Sequence, residues 1–176
     1  MTDDDLGEFF RNPAVRPEPR QLIRRGLRDL GVAFTPRPIF PGNPESATTE
    51  TPEPLPGIRA ALKLKHAAER AIADCARCAR EDGRSWGLIG EAMGYADDPQ
   101  PGMASVAEHA FAALASDLGR GPSFAWTCPA CDRTVIDRGP EQGHPEDAEE
   151  GHAEGCTRMA AAIAAYDAQW KDEDNG

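Results

Sequence analysis

Phe124-Ala125-Trp126-Thr127-Cys128-Pro129-Ala130-Cys131-Asp132-Arg133-Thr134-Val135-Ile136 decides how the C-terminal third of the chain is built. Phe124 to Cys128 and Thr134 to Ile136 are short runs rich in aromatic and β-branched residues, the signature of two strands. Between them Cys128-Pro129-Ala130-Cys131 makes a tight turn that sets two thiols side by side. So small a hairpin has too little core to fold alone, and the thiols are the obvious material for an added cross-link.

The rest of that cross-link lies downstream. Residues 137 to 151 are acidic and rich in Gly and Pro, and they read as loop. A last helix is expected from about Ala153 to Trp170, with Met159, Ile163, Tyr166 and Trp170 on one apolar face. His152 and Cys156 are four residues apart at its start, which on a helix projects both side chains from one face. Cys128, Cys131, His152 and Cys156 then form a Cys3His set, the donor chemistry of a structural zinc site, with Zn as the expected cofactor. His144 competes for the third place: twelve residues separate it from Cys131, as in two-Cys-two-His fingers, but it sits in the loop between Gly143 and Pro145. His152 is preferred because helix geometry pairs it with Cys156. Four ligands and no open position suggest structural rather than catalytic metal. A zinc deaminase would need H-x-E before P-C-x-x-C, whereas His152-Ala153-Glu154 follows the cysteines and Thr127 replaces the proline.

Moving toward the N-terminus, residues 58 to 119 read as a helical domain. Ile58 to about Asp82 contains no Pro or Gly after Gly57 and is Ala-rich, a long helix with Leu62, Leu64, Ala68, Ile72, Cys75 and Ala79 as candidate buried positions. Cys75 and Cys78 fall inside it and read as small core side chains, since His66 lies on the opposite face. Gly83 ends the helix, and Ser85 can cap a second one from Trp86 to Met93 that Gly94 closes. After the turn-rich stretch Asp97 to Gly102, a third helix runs from about Ala104 or Ser105 to Leu118. Residues 1 to 35 hold the Phe9-Phe10 pair and a small helix built on Leu22, Ile23, Leu27 and Leu30. Residues 36 to 57 carry seven prolines among Ser, Thr and Glu and read as an extended linker. The expected architecture is mainly α: a three-helix, helix-turn-helix-like domain followed by a small β-hairpin plus helix zinc module (120 to 176), with a Pro-rich disordered N-terminal arm.

Ala79-Arg80-Glu81-Asp82-Gly83-Arg84-Ser85-Trp86-Gly87-Leu88-Ile89-Gly90-Glu91-Ala92-Met93-Gly94-Tyr95 resembles the first half of a helix-turn-helix common in actinobacterial regulators. With the cysteine module appended, residues 58 to 171 resemble uncharacterised actinobacterial helix-turn-helix proteins with a C-terminal Cys/His zinc-binding module. The resemblance implies that Trp86, Ile89 and Met93 fill a core and that Gly94 makes the turn before a recognition helix. It implies double-stranded DNA as a partner of a regulatory protein, met through Arg77, Arg80, Arg84, Ser105 and His109.

Charge points another way. The chain carries 19 Lys and Arg against 30 Asp and Glu, a net −11, and residues 120 to 176 hold five basic against twelve acidic side chains. Such a surface repels phosphate. The third helix from Ser105 to Leu114 has no Lys or Arg. The alternative expectation is an adaptor that meets a protein partner through its zinc module or N-terminal arm. No nucleophile, base and oxyanion donors converge, so no enzyme is expected. The acidic start Met1-Thr2-Asp3-Asp4-Asp5 and the lack of any apolar run of ~18 residues point to a cytoplasmic chain with no membrane contact.

Overall fold

The computed structural model describes residues 18–40, 42, 46–95, 104–117 and 121–173. The Phe9-Phe10 pair and the Asp97 to Gly102 turn lie outside the described residues. The chain divides into two compact units, residues 1–70 and 71–176.

In the first unit, helix α1 (Pro19–Asp29) is followed by strands β1 (Phe34–Pro38) and β2 (Thr48–Pro52), and then by the start of the long helix α2 (Pro54–Glu81). The expected disordered Pro-rich arm is corrected here: β1 and β2 pair antiparallel, Phe34 opposite Pro52 and Pro36 opposite Glu50. The reason is hydrogen-bond parity. Ile39 donates to Ala47 and Glu53 to Ala33, which fixes the odd-numbered residues of β1 as the bonded positions. Pro36, Pro38 and Pro52 fall on the alternate positions, where a missing N–H costs nothing. Pro54 and Pro56 likewise sit in the first turn of α2, where amides have no intrahelical partner. Leu27, Val32 and Ala60 are buried together with Phe34 and Leu64 against them.

The second unit takes the C-terminal part of α2, then α3 (Trp86–Ala92), α4 (Val106–Leu114), β3 (Ser116–Asp117), β4 (Pro122–Thr127), β5 (Thr134–Asp137), a 3-10 turn at Pro140–Gln142, α5 (Pro145–Ala148), β6 (Glu149–Glu150) and α6 (Thr157–Glu173). The strands form one antiparallel sheet in the order β3-β4-β5-β6. Ser85 caps α3 through Leu88 N–H, and Ser105 with Glu108 forms a capping box at α4.

Helix predominates, yet the expected three-helix domain followed by a zinc module is not the architecture observed. Ala76, Trp86, Ile89, Ala110 and Phe111 from the helices share one core with Phe124, Trp126, Cys128, Val135 and Cys156. Helices lined by alanine leave too little apolar volume between them, and the sheet's aromatics supply it. Trp86 stands edge-on to both Phe111 and Phe124, with ring centroids 5.2 Å away in each case.

Two details of the sequence reading change with this core. Along α2 the buried residues are Gly57, Ala60, Ala76 and Arg80, while Leu62, Ile72, Cys75 and Cys78 are exposed. The helix serves two cores in turn and buries different faces in each, so no single stripe marks it. The loop expected over 137 to 151 is instead a folded segment ending in β6, with Ile136 opposite Glu150 and Asp137 opposite Glu149.

Candidate metal centre

The hairpin β4-β5 delivers the first two thiols. Cys128 N–H bonds to Arg133 O at 2.9 Å, closing the turn, and Cys128 O accepts from Asp132 N–H at 2.8 Å. Asp132 takes a positive φ of 53° to complete the knuckle.

The other two donors arrive differently from the sequence expectation. α6 begins at Thr157, so His152 lies in a turn before it and Cys156 sits at the helix entrance, where its carbonyl accepts from Ala160 N–H. The correction has a local cause. Gly151 (φ +104) lets the chain leave β6 pressed against β5, where a Cβ would lie 2.6 Å from Thr134 O. Gly155 (φ +73) turns it again before Cys156.

Cys128, Cys131, His152 and Cys156 converge, with one donor atom from each lying within 4.8 Å of all the others. These four could hold a metal ion. Cys128 Sγ and Cys156 Sγ are 3.8 Å apart, and Cys131 Sγ is 3.8 Å from His152 Nδ1. His144 is not among them; it caps α5 by accepting from Glu146 N–H, and its ring meets Tyr166.

The surroundings favour thiolate at two of the positions. The Ala153 amide bonds to Cys131 and is the largest influence lowering its thiol, to about 6. The Met159 amide, then that of Arg158, pulls Cys156 down, helped by the start of α6. Burial pushes the Cys128 thiol up. Burial disfavours charged His152, but its bonds to Cys131 and Glu149 outweigh that and raise its pKa.

Behind the four donors lies a chain of polar contacts that the sequence does not announce. His152 Nε2 is 3.1 Å from Glu149 Oε2. Glu149 is also ion-paired with Arg80 at 2.5 Å, and Arg80 with Asp137 at 2.9 Å. Asp137, fully buried, accepts from Trp86 Nε1 at 3.0 Å and from Gly139 N–H at 2.9 Å. Arg158, over the Trp126 ring at 4.2 Å, donates to the last carbonyls of α2 at Arg80 and Glu81.

The residues nominated for DNA have different surroundings. Arg80 is buried in the ion pairs just described. Ser105 is spent on its cap. Arg77 pairs with Asp74 at 2.6 Å and donates to Ala125 O. Arg84 is exposed, its carbonyl accepting from Arg80, and the His109 ring lies 5.7 Å from that of Tyr95.

No family model matches the chain, and comparison with curated proteins and with solved structures finds no match either. Among the described residues, no helix is long and apolar enough to cross a membrane.

Proposed function

We propose that the Cys128–Cys131–His152–Cys156 centre holds one zinc ion as a closed structural site, and that the chain is a zinc-organised, non-enzymatic adaptor for a protein partner. The observation that carries the metal assignment is the 3.8 Å separation of Cys128 and Cys156 Sγ atoms. It is far longer than a disulfide and equals the edge of a tetrahedron with Zn–S bonds of about 2.3 Å. Three thiols and an imidazole suit zinc over harder cations, and four donors leave no position for substrate. Zinc supplies cross-linking here: it ties the β4-β5 turn to the entrance of α6.

Two observations support the adaptor reading. Arg80, central among the cationic residues of the helical segment, is consumed by Asp137 and Glu149. The net charge of −11 disfavours nucleic acid. A DNA-associated regulator is the second reading, favoured by the close α3–α4 pair, where a Cβ on Gly90 would lie 2.5 Å from Val106 Cγ1. Titration of the zinc-loaded chain against duplex DNA at two salt concentrations separates the readings. The adaptor predicts no binding at low salt. Binding with a steep salt dependence replaces it with the regulator.

A further inference from the structure

The three thiols of the metal centre are not equally reachable. Cys128 and Cys156 are buried, whereas Cys131 is only half-buried at the outer end of the β4-β5 turn. A thiol that solvent can reach is where an oxidant acts first. Cys128 is the partner best placed to complete the reaction. Its sulfur lies within 4.8 Å of that of Cys131. The two residues also close one turn, Cys131 N–H donating to Cys128 O at 3.4 Å. A turn of this kind brings its first and last Cα atoms within about 7 Å, which overlaps the roughly 4.4–6.8 Å that a disulfide spans. The turn can therefore tighten as one piece. Cys156 belongs instead to the entrance of α6, which Arg158 holds from the other side through the carbonyls of Arg80 and Glu81.

We propose that Cys131 is an oxidative modification site for hydroperoxides, and that its oxidation closes a Cys128–Cys131 disulfide that opens the metal centre. The inference rests on the zinc assignment and names how that site is regulated. In the first step the Cys131 thiolate attacks the terminal oxygen of the hydroperoxide. An S–O bond forms, the O–O bond breaks, and the departing alkoxide or hydroxide takes up one proton. The Cys128 thiolate then attacks the sulfenic sulfur: an S–S bond forms, the S–O bond breaks, and hydroxide leaves with a second proton as water. Two electrons pass from the thiolate pair to the peroxide. His152 and Cys156 are left as two donors where zinc takes four, so the ion is released. The disulfide lies wholly within the β4-β5 turn and does not replace the tie to the entrance of α6. Oxidation thus converts a cross-linked module into one in which hairpin and helix are no longer joined through metal.

The test follows zinc and disulfides in the full, zinc-loaded chain carrying Cys75→Ser and Cys78→Ser, which remove the two exposed thiols of α2. Hydrogen peroxide is the probe, a chromophoric chelator reads the released metal, and mass spectrometry of proteolytic fragments maps the bond. Zinc is released as one Cys128–Cys131 disulfide forms per chain, and a dithiol reductant with added zinc reverses both changes. Cys131→His keeps four donors but removes the half-buried thiol, so release slows about tenfold or more. Where Cys131→His does not hold zinc, the disulfide map of the parent chain decides. A purified chain without zinc overturns the metal assignment, and the switch with it. Zinc that stays bound under peroxide, a disulfide through Cys156, release without any disulfide, or a Cys131→His chain that loses zinc as fast as the parent overturns the switch alone.

Discussion

His152 presents Nδ1 to the cysteine cluster and Nε2 to the carboxylate of Glu149, 3.1 Å away. A metal-binding imidazole held from behind by a carboxylate has its tautomer and ring orientation fixed before the ion arrives. Glu149→Gln is therefore expected to weaken zinc binding by about 10–100-fold with the four donors intact. Competition with a chromophoric chelator measures this. Unchanged affinity would remove Glu149 from the account.

Arg80 lies between the buried carboxylate of Asp137, the half-buried one of Glu149 and the Arg84 carbonyl. Arg80→Ala leaves Asp137 buried with only the Trp86 and Gly139 donors, and a cost of about 3–5 kcal/mol is expected. Urea unfolding of the zinc-loaded proteins reads it. A loss below about 1 kcal/mol is what an exposed, DNA-facing arginine would show.

Asp137 gives stability a pH dependence of definite sign. Burial raises its pKa; Arg80, the Gly139 amide and the Trp86 indole oppose this, while Glu149 adds to it. Below the ordinary value of 3.8 the group is protonated in both folded and unfolded chains. As pH rises, the unfolded chain ionises first, so the contribution of Asp137 to stability declines until pH passes the raised folded value. The stability of wild type minus that of Asp137→Asn should fall across that interval and level above it. Effects of metal common to both proteins cancel in the difference, and a rise with pH contradicts the account.

Gly90 and Val106 set the spacing of α3 and α4. A Cβ at Gly90 would lie 2.5 Å from Val106 Cγ1 and 2.6 Å from Val106 O. Backbone cannot yield as a flexible side chain can, so Gly90→Ala is expected to cost about 1–3 kcal/mol in thermal or urea unfolding. Helix propensity alone would predict a small gain.

What the sequence revealed and what it hid follow from the range of each interaction. The β4-β5 strands and the Cys128–Cys131 turn are legible because strand pattern and ligand spacing are local. Ser85 and Ser105 are read as helix starts for the same reason. The Pro36–Pro56 segment misleads because composition counts prolines without their hydrogen-bond parity. α6 was expected to begin at Ala153, and the turns at Gly151 and Gly155 displace it to Thr157. Arg80 reads as a cation available to DNA because its carboxylate partners lie 57 and 69 residues away. Glu149 is hidden for a related reason, as one acid among many in a stretch without periodicity.

X-ray absorption at the zinc edge of the purified full chain addresses the metal centre most directly. The account predicts one zinc per chain with three sulfur neighbours at about 2.3 Å and one nitrogen at about 2.0 Å, lost in Cys128→Ser and retained in His144→Ala. A chain without stoichiometric zinc, or zinc in an oxygen-dominated shell that survives Cys128→Ser, contradicts it.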